Sequence, residues 1–174
     1  MMQRILVAVD NSEHSQSVAD EAIALAKALK AQLHFFHVLL PLDGGYPNPL
    51  YITNDGMHSM LATESFQNYV NQWQVAKEQG ENLLNWYSQS ARSEGLTVMC
   101  SQAVGDPSRA ICNTAQQWRA DLIMMGRRGR SGLSELLLGS VSNYVMHHAD
   151  CSVLTVQGKA VETVEQPEMA AVSS

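Results

Sequence analysis

The feature that most restricts this chain is the change of composition at Gly126. Leu122 to Met125, flanked by Asp121 and Gly126, is an apolar run short enough to be a strand buried on both faces. It passes directly into GRRGRSG over 126–132 and then LLLGS over 136–140. Gly126, Gly129 and Gly132 permit backbone conformations closed to other residues and allow a ligand close to the main chain. From Gly139 and Ser140 a second pattern begins, with Val141, Tyr144, Val145 and His148 at helical spacing. A helix opening at Gly-Ser presents unpaired N–H groups and the positive end of its dipole, which suits an anion. Ser140 and Ser142 add hydroxyl donors. The stretch reads as a phosphate cradle at the carboxyl end of a parallel strand, and parallel strands demand crossover helices.

The rest of the chain supplies them. Arg4 to Asp10, RILVAVD, is a continuous apolar run ending in a carboxylate, as a central parallel strand requires. Ser12 is placed to cap a helix whose stripe is Val18, Ala22, Leu25, Ala26 and Leu29, and Leu33 to Leu40 is a second buried strand. From Pro41 to about Leu61 three of the five prolines and three of the eleven glycines predict a loop with no regular element, of a length often given to lids or partner surfaces. Thr63 to Glu94 predicts a long helix whose inner side is Phe66, Val70, Trp73, Ala76, Leu83, Leu84, Tyr87 and Ala91, with Gly80 a weak point and Gly95 a natural stop. Leu96 to Val104 alternates as an edge strand does. Asp106 then caps a helix that has Pro107 at its first position and Ala110, Ile111, Thr114, Ala115 and Trp118 along it. Cys151 to Val156 is a last short strand. Five strands alternating with four helices give an α/β chain, a parallel sheet with helices on both faces. Residues 1–157 are expected to form one domain. Residues 158–174, with three glutamates, a proline and no aromatic, are expected to be a flexible tail.

Composition narrows the partners. The net charge of −6 argues against non-specific binding to DNA or RNA, which needs clustered lysine and arginine. Of the eleven basic residues, Arg127, Arg128 and Arg130 form the one cluster, and it lies in the glycine segment, where it suits a small anion better than a polyanion. Three cysteines with no C-x-x-C pair speak against a disulfide framework or a zinc site, so a reducing compartment is expected. No apolar run of signal-peptide or membrane-span length occurs, and a soluble, cytoplasmic protein is expected. His34 and His37, three apart on a strand, point to opposite faces and cannot share a metal ion. His147 and His148 end the last helix, where the dipole favours a cation. No metal site is expected.

Gly126-x2-Gly129-x9-Gly139-Ser140 followed by Val141 and Ser142 resembles the nucleotide-binding signature of the universal stress protein family, as do the ILVAVDNSEHS start and the ADCSVLTV end. The likeness runs from Arg4 to roughly Val156. It implies a doubly wound open sheet of order 3-2-1-4-5, in which strands one and four lie adjacent with connections running opposite ways, so that Asp10 and Gly126 face each other across the crevice where such sheets bind ligands. Carried over by position, it implies that Ala8, Val9, Asp10, Val38, Met125, Gly126, Arg128, Gly129, Gly139, Ser140, Val141 and Ser142 contact an adenine nucleotide, ATP first among them. Ribose hydroxyls or a divalent cation such as Mg2+ would then separate Asp10 from the phosphates. It also implies a homodimer through Ser152 to Val156, and a regulatory protein partner.

Three functions fit these residues. A G-x4-G-K-[ST] loop is missing, no lysine occurs between Lys77 and Lys159, and Asp10 and Glu135 are the carboxylates near the cradle, so binding with little or no turnover is the leading expectation. A slow ATPase or self-phosphorylating enzyme, with Ser140 or Ser142 as acceptor, is the second. A dimeric interaction scaffold with a degenerate cleft is the third. Cys112, on a helix beside Ile111, has no paired histidine, so no nucleophilic catalytic residue is assigned.

Overall fold

The computed structural model describes residues 2–12, 14–40, 56–127 and 139–157, with side chains from 67 onward in the third of these segments. The elements are β1 Arg4–Val9, α1 His14–Leu29, β2 Gln32–Leu39, α2 Gly56–Ser93, β3 Val98–Val104, α3 Pro107–Trp118, β4 Leu122–Gly126, α4 Ser140–His148 and β5 Ser152–Val156. All neighbouring strands pair parallel in the order β3-β2-β1-β4-β5. The fold is therefore the doubly wound one, with β1 between β2 and β4 at the point where the winding reverses.

Alternate residues of the central strands feed two cores. Ile5, Val7 and Val9 of β1 join Leu33 and Phe35 beneath α1 and α2, where Val18, Ala22, Leu84, Tyr87 and Ala91 close the layer. Leu6, Phe36, Ile123 and Met125 face α3 and α4, which bring Ile111, Ala115 and Val145. Burial on both faces is why these strands read as unbroken apolar runs. Phe35 stacks on Tyr87 with ring centroids 5.6 Å apart, and burial, with Asp10 and Asp20 adding, pushes the Tyr87 hydroxyl up to about 12.

Helix ends follow local chemistry. Asp106 caps α3 by accepting the Arg109 N–H at 3.1 Å, with Pro107 at the first helical position as expected. Gly95, at φ +80°, follows the end of α2 in the left-handed region that glycine occupies without strain, and its N–H returns to the Arg92 carbonyl at 2.9 Å. Two expectations need correction. α2 begins at Gly56, so 56–61 are helical where a loop was expected, while 41–55 lie outside the described residues. The inner side expected from Phe66 onward begins later: between 67 and 79 no residue is buried, Val70 is exposed, and Gly80 is the first buried position. The reason is length. A helix of 38 residues spans about 57 Å at 1.5 Å per residue, more than twice what a strand of β3's size covers.

His34 and His37 do point to opposite faces. His34 is buried between Phe36 and Trp118 with Nε2 2.7 Å from Ser101 Oγ, and its Nδ1 has no hydrogen-bond partner among the described residues. Desolvation holds its pKa below the ordinary histidine value. The unfolded chain then binds the proton first, so stability is complete above about pH 6.5 and declines as pH falls below it. One such group steepens the decline by at most about 1.4 kcal/mol per pH unit. Denaturant midpoints compared between pH 7.5 and 5.5 are expected to fall less in His34→Phe than in the native sequence; equal falls would refute this.

Candidate functional site

Register puts the ends of β1 and β4 side by side, with Ala8 opposite Met125. Asp10 follows β1, Arg127 follows β4, and between them opens a cavity of about 300 Å3, at the small end of the range for ligand pockets. Phe36, Val38, Leu40, Pro107, Ile111 and Met125 supply the apolar part of the lining. Asp10, Asn11, Ser12, His14, Gly139 and Ser140 supply the polar part of the lining.

Asp10 is first of all a turn-forming group. Its Oδ1 accepts the Ser12 N–H at 3.0 Å, a very short bond from the Ser12 hydroxyl and one from Ser15 Oγ at 2.7 Å, while Ser15 Oγ accepts the Asp10 N–H at 2.8 Å. Ser12, expected to cap α1, thus has its hydroxyl turned to Asp10. All three bonds use one oxygen, and the turn they form directs the start of α1 toward the cavity.

Across the cavity α4 starts at Gly139, whose φ −60° and ψ 153° are ordinary extended backbone and which has no side-chain cap. Among the described residues, no side chain caps the first-turn amides of α4, which leaves them to whatever enters. The base of the glycine segment is tied independently: Gly139 N–H donates to the Arg127 carbonyl at 3.0 Å, Ser142 Oγ lies 2.9 Å from the same oxygen and 2.9 Å from the Gly139 carbonyl, and Arg127 N–H donates to Val156 O at 2.9 Å. Ser142 is 2% exposed and its single proton faces carbonyls, so the hydroxyl expected to serve an anion fastens the backbone instead. Ser140 is exposed and has no side-chain hydrogen bond among the described residues.

Of the residues expected at the site, Ala8, Val9, Asp10, Val38, Met125, Gly126, Gly139, Ser140, Val141 and Ser142 line this cavity, and Arg128 and Gly129 lie outside the described residues. The cavity also takes in Phe36, His37, Leu40, His14, Pro107 and Ile111. The α3 contribution was signalled by Gly105-Asp106-Pro107: a turn leaving the carboxyl end of a strand must sit on the same edge as the crevice. His147 and His148 stand apart at the end of α4, where the His148 ring stacks on Tyr144 at 3.9 Å and its Nδ1 lies 2.8 Å from the Tyr144 carbonyl. Among the described residues no group of three or more His, Cys, Asp or Glu side chains could hold a metal ion, and no helix is long and apolar enough to cross a membrane.

A family model described as "Universal stress protein family" matches residues 1–157. The chain belongs to the universal stress protein family. Universal stress protein Sll1388 of Synechocystis is 36% identical over 155 residues, covering 88% of this chain and 97% of its own, and YxiE of Bacillus subtilis is 31% identical over 158 residues, covering 90% and 100%. Among solved structures, a family protein from Arabidopsis thaliana with AMP bound superposes with a TM-score of 0.63 at 19% identity, covering 95% of this chain and 97% of that one. A universal stress protein in complex with cAMP gives 0.58 at 24%, covering 90% and 98%. Some structural neighbours of this universal stress protein thus bind adenine nucleotides, and the shared fold is the five-stranded sheet of the same order.

Proposed function

We propose that this chain binds an adenine nucleotide, ATP in particular, in the cavity between β1, β4 and α4, and that occupancy regulates a partner with little or no hydrolysis. The observation that carries this reading is the pairing of apolar lining residues with a helix start that has no side-chain cap, in one cavity at the reversal of the sheet. The base lies against Phe36, Val38 and Ile111, the phosphates meet the α4 amides and Ser140, and Asp10 faces the ribose, where its second oxygen accepts hydroxyls. Arg128 and Gly129 belong to the same reading from sequence. Mg2+ would arrive on the phosphates, since Asp10 is the one carboxylate among the described lining residues. With Oδ1 of Asp10 held in its turn by Ser12 and Ser15, that carboxylate is engaged in structure and not free to take a proton, which favours binding over turnover.

Calorimetric titration with ATP and AMP, and melting with each at saturation, tests the reading. Ligand at about 100 times its dissociation constant adds about 2.7 kcal/mol of stability. No heat and no rise in melting temperature with either nucleotide would defeat it.

The same reading includes residues 1–157 as the functional unit, a cytoplasmic location and a homodimer through β5. β5 pairs with β4 on one side, and Leu154 is 42% exposed, leaving an apolar sheet edge to a twofold mate. Light scattering should give twice the chain mass for the native sequence and the single-chain mass for Leu154→Lys; a native monomer would remove the dimer.

A further inference from the structure

Three contacts fasten α2 to β3 in sequence along their antiparallel run: Arg92 Nη2 to Val98 O at 3.4 Å, Cys100 Sγ to Leu84 O at 3.6 Å, and Gln102 Nε2 to Lys77 O at 3.5 Å. The last is at the carboxyl edge of the sheet, the edge that holds the cavity. Beyond it, residues 67–79 have no buried position, and half-buried Tyr69, Trp73 and Ala76 recur along one side of a helix that continues past the sheet.

Gln102 does more than end this series. Its amide nitrogen is also 3.0 Å from His37 Nδ1, and because the same group meets the Lys77 carbonyl it must be the NH2 end, so His37 accepts at Nδ1 and carries its proton on Nε2. Gly80 sits against the pair so closely that a Cβ there would meet Gln102 Nε2 at 2.0 Å and His37 Nδ1 at 2.6 Å. His37 is 4% exposed, and it lies in the chain between Phe36 and Val38, all three lining the cavity. A ligand that shifts Phe36 or Val38 moves the His37 peptide, and the buried ring cannot respond without moving Gln102 and the turn of α2 at Lys77–Gly80.

On the nucleotide reading given above, we infer that Gln102 is a positioning residue that couples the cavity to the projecting part of α2, making residues 67–79 the place where occupancy is reported. A ligand achieves this to the extent that it binds the two positions of the helix unequally. Amide hydrogen exchange of 67–79 in the full chain, with and without saturating AMP, provides the test, with AMP affinity measured in parallel by calorimetry. In the native sequence AMP should change exchange of these amides by about fivefold or more, the size of a modest coupling between sites. Gln102→Leu, and Gln102→Met as a second variant of closer shape, should abolish that difference while AMP affinity stays within about threefold, inside what indirect coupling allows. A merely structural Gln102 would shift exchange equally with and without AMP. AMP binding with unchanged exchange at 67–79, or an undiminished response in both variants, overturns the coupling alone; absence of AMP binding to the native protein overturns the nucleotide reading and the coupling together.

Discussion

Gly139→Glu is expected to weaken ATP and AMP binding by about 100-fold or more while leaving the melting temperature nearly unchanged. Gly139 is the uncapped start of α4 and lines the cavity, and its φ of −60° accepts any side chain without backbone strain. The backbone therefore takes the substitution without strain, and the added carboxylate acts on the ligand. It lies at the positive end of the helix, where it competes for the first-turn amides, and it repels the phosphates. Two unit charges about 4 Å apart at an effective dielectric near 20 oppose each other by about 4 kcal/mol, and about 2.7 kcal/mol already corresponds to 100-fold. Gly139→Gln, matched in shape and uncharged, separates the two effects: it should lose less than about tenfold, since a helix start without added charge still serves an anion. Equal losses in both variants, or none in Gly139→Glu, would remove the anion from this position.

Gly80→Ala should lower stability by about 2 kcal/mol, although alanine is the better helix former by about 1 kcal/mol. Overpacking of a core typically costs about 1–3 kcal/mol, and separation of the His37–Gln102 pair forfeits about another 1 kcal/mol. Gln102 can swing its tip aside, but the buried His37 ring, which a Cβ would approach to 2.6 Å, cannot move cheaply. For a domain of this size the loss corresponds to a melting temperature about 4–8 °C lower. A rise in melting temperature would mean that propensity prevails and the contact is soft.

These two glycines show what the sequence discloses and what it conceals. Gly139 was legible because its meaning is local: it follows an apolar strand at a fixed interval and precedes a helical period. Gly80 was read by propensity as a weak point, whereas its meaning comes from His37 and Gln102, residues remote in sequence that β2–β3 pairing sets side by side. The strands were legible for the reason that buried them, since residues such as Ile5, Leu6 and Val7 serve cores on alternate sides and leave no polar gap. Their order was not: periodicity identifies a strand without naming its neighbours, and the order came from family resemblance. The start of α2 was missed because prolines and glycines continue to Gly56 and concealed the helical spacing after it. Its inner side was overextended because apolar periodicity persists through Val70, Trp73 and Ala76 beyond the reach of the sheet. Ser142 was expected to face a ligand from its place in the motif; that its hydroxyl meets the Arg127 carbonyl is a tertiary fact with no local sign.

That carbonyl carries one more implication. It receives the Gly139 amide and the Ser142 hydroxyl together, so the residue that follows β4 and the first turn of α4 are joined at a single oxygen atom. The end of the fourth strand and the start of the last helix thus share one clasp, so the helix tip that borders the cavity is held in place by the strand beside it.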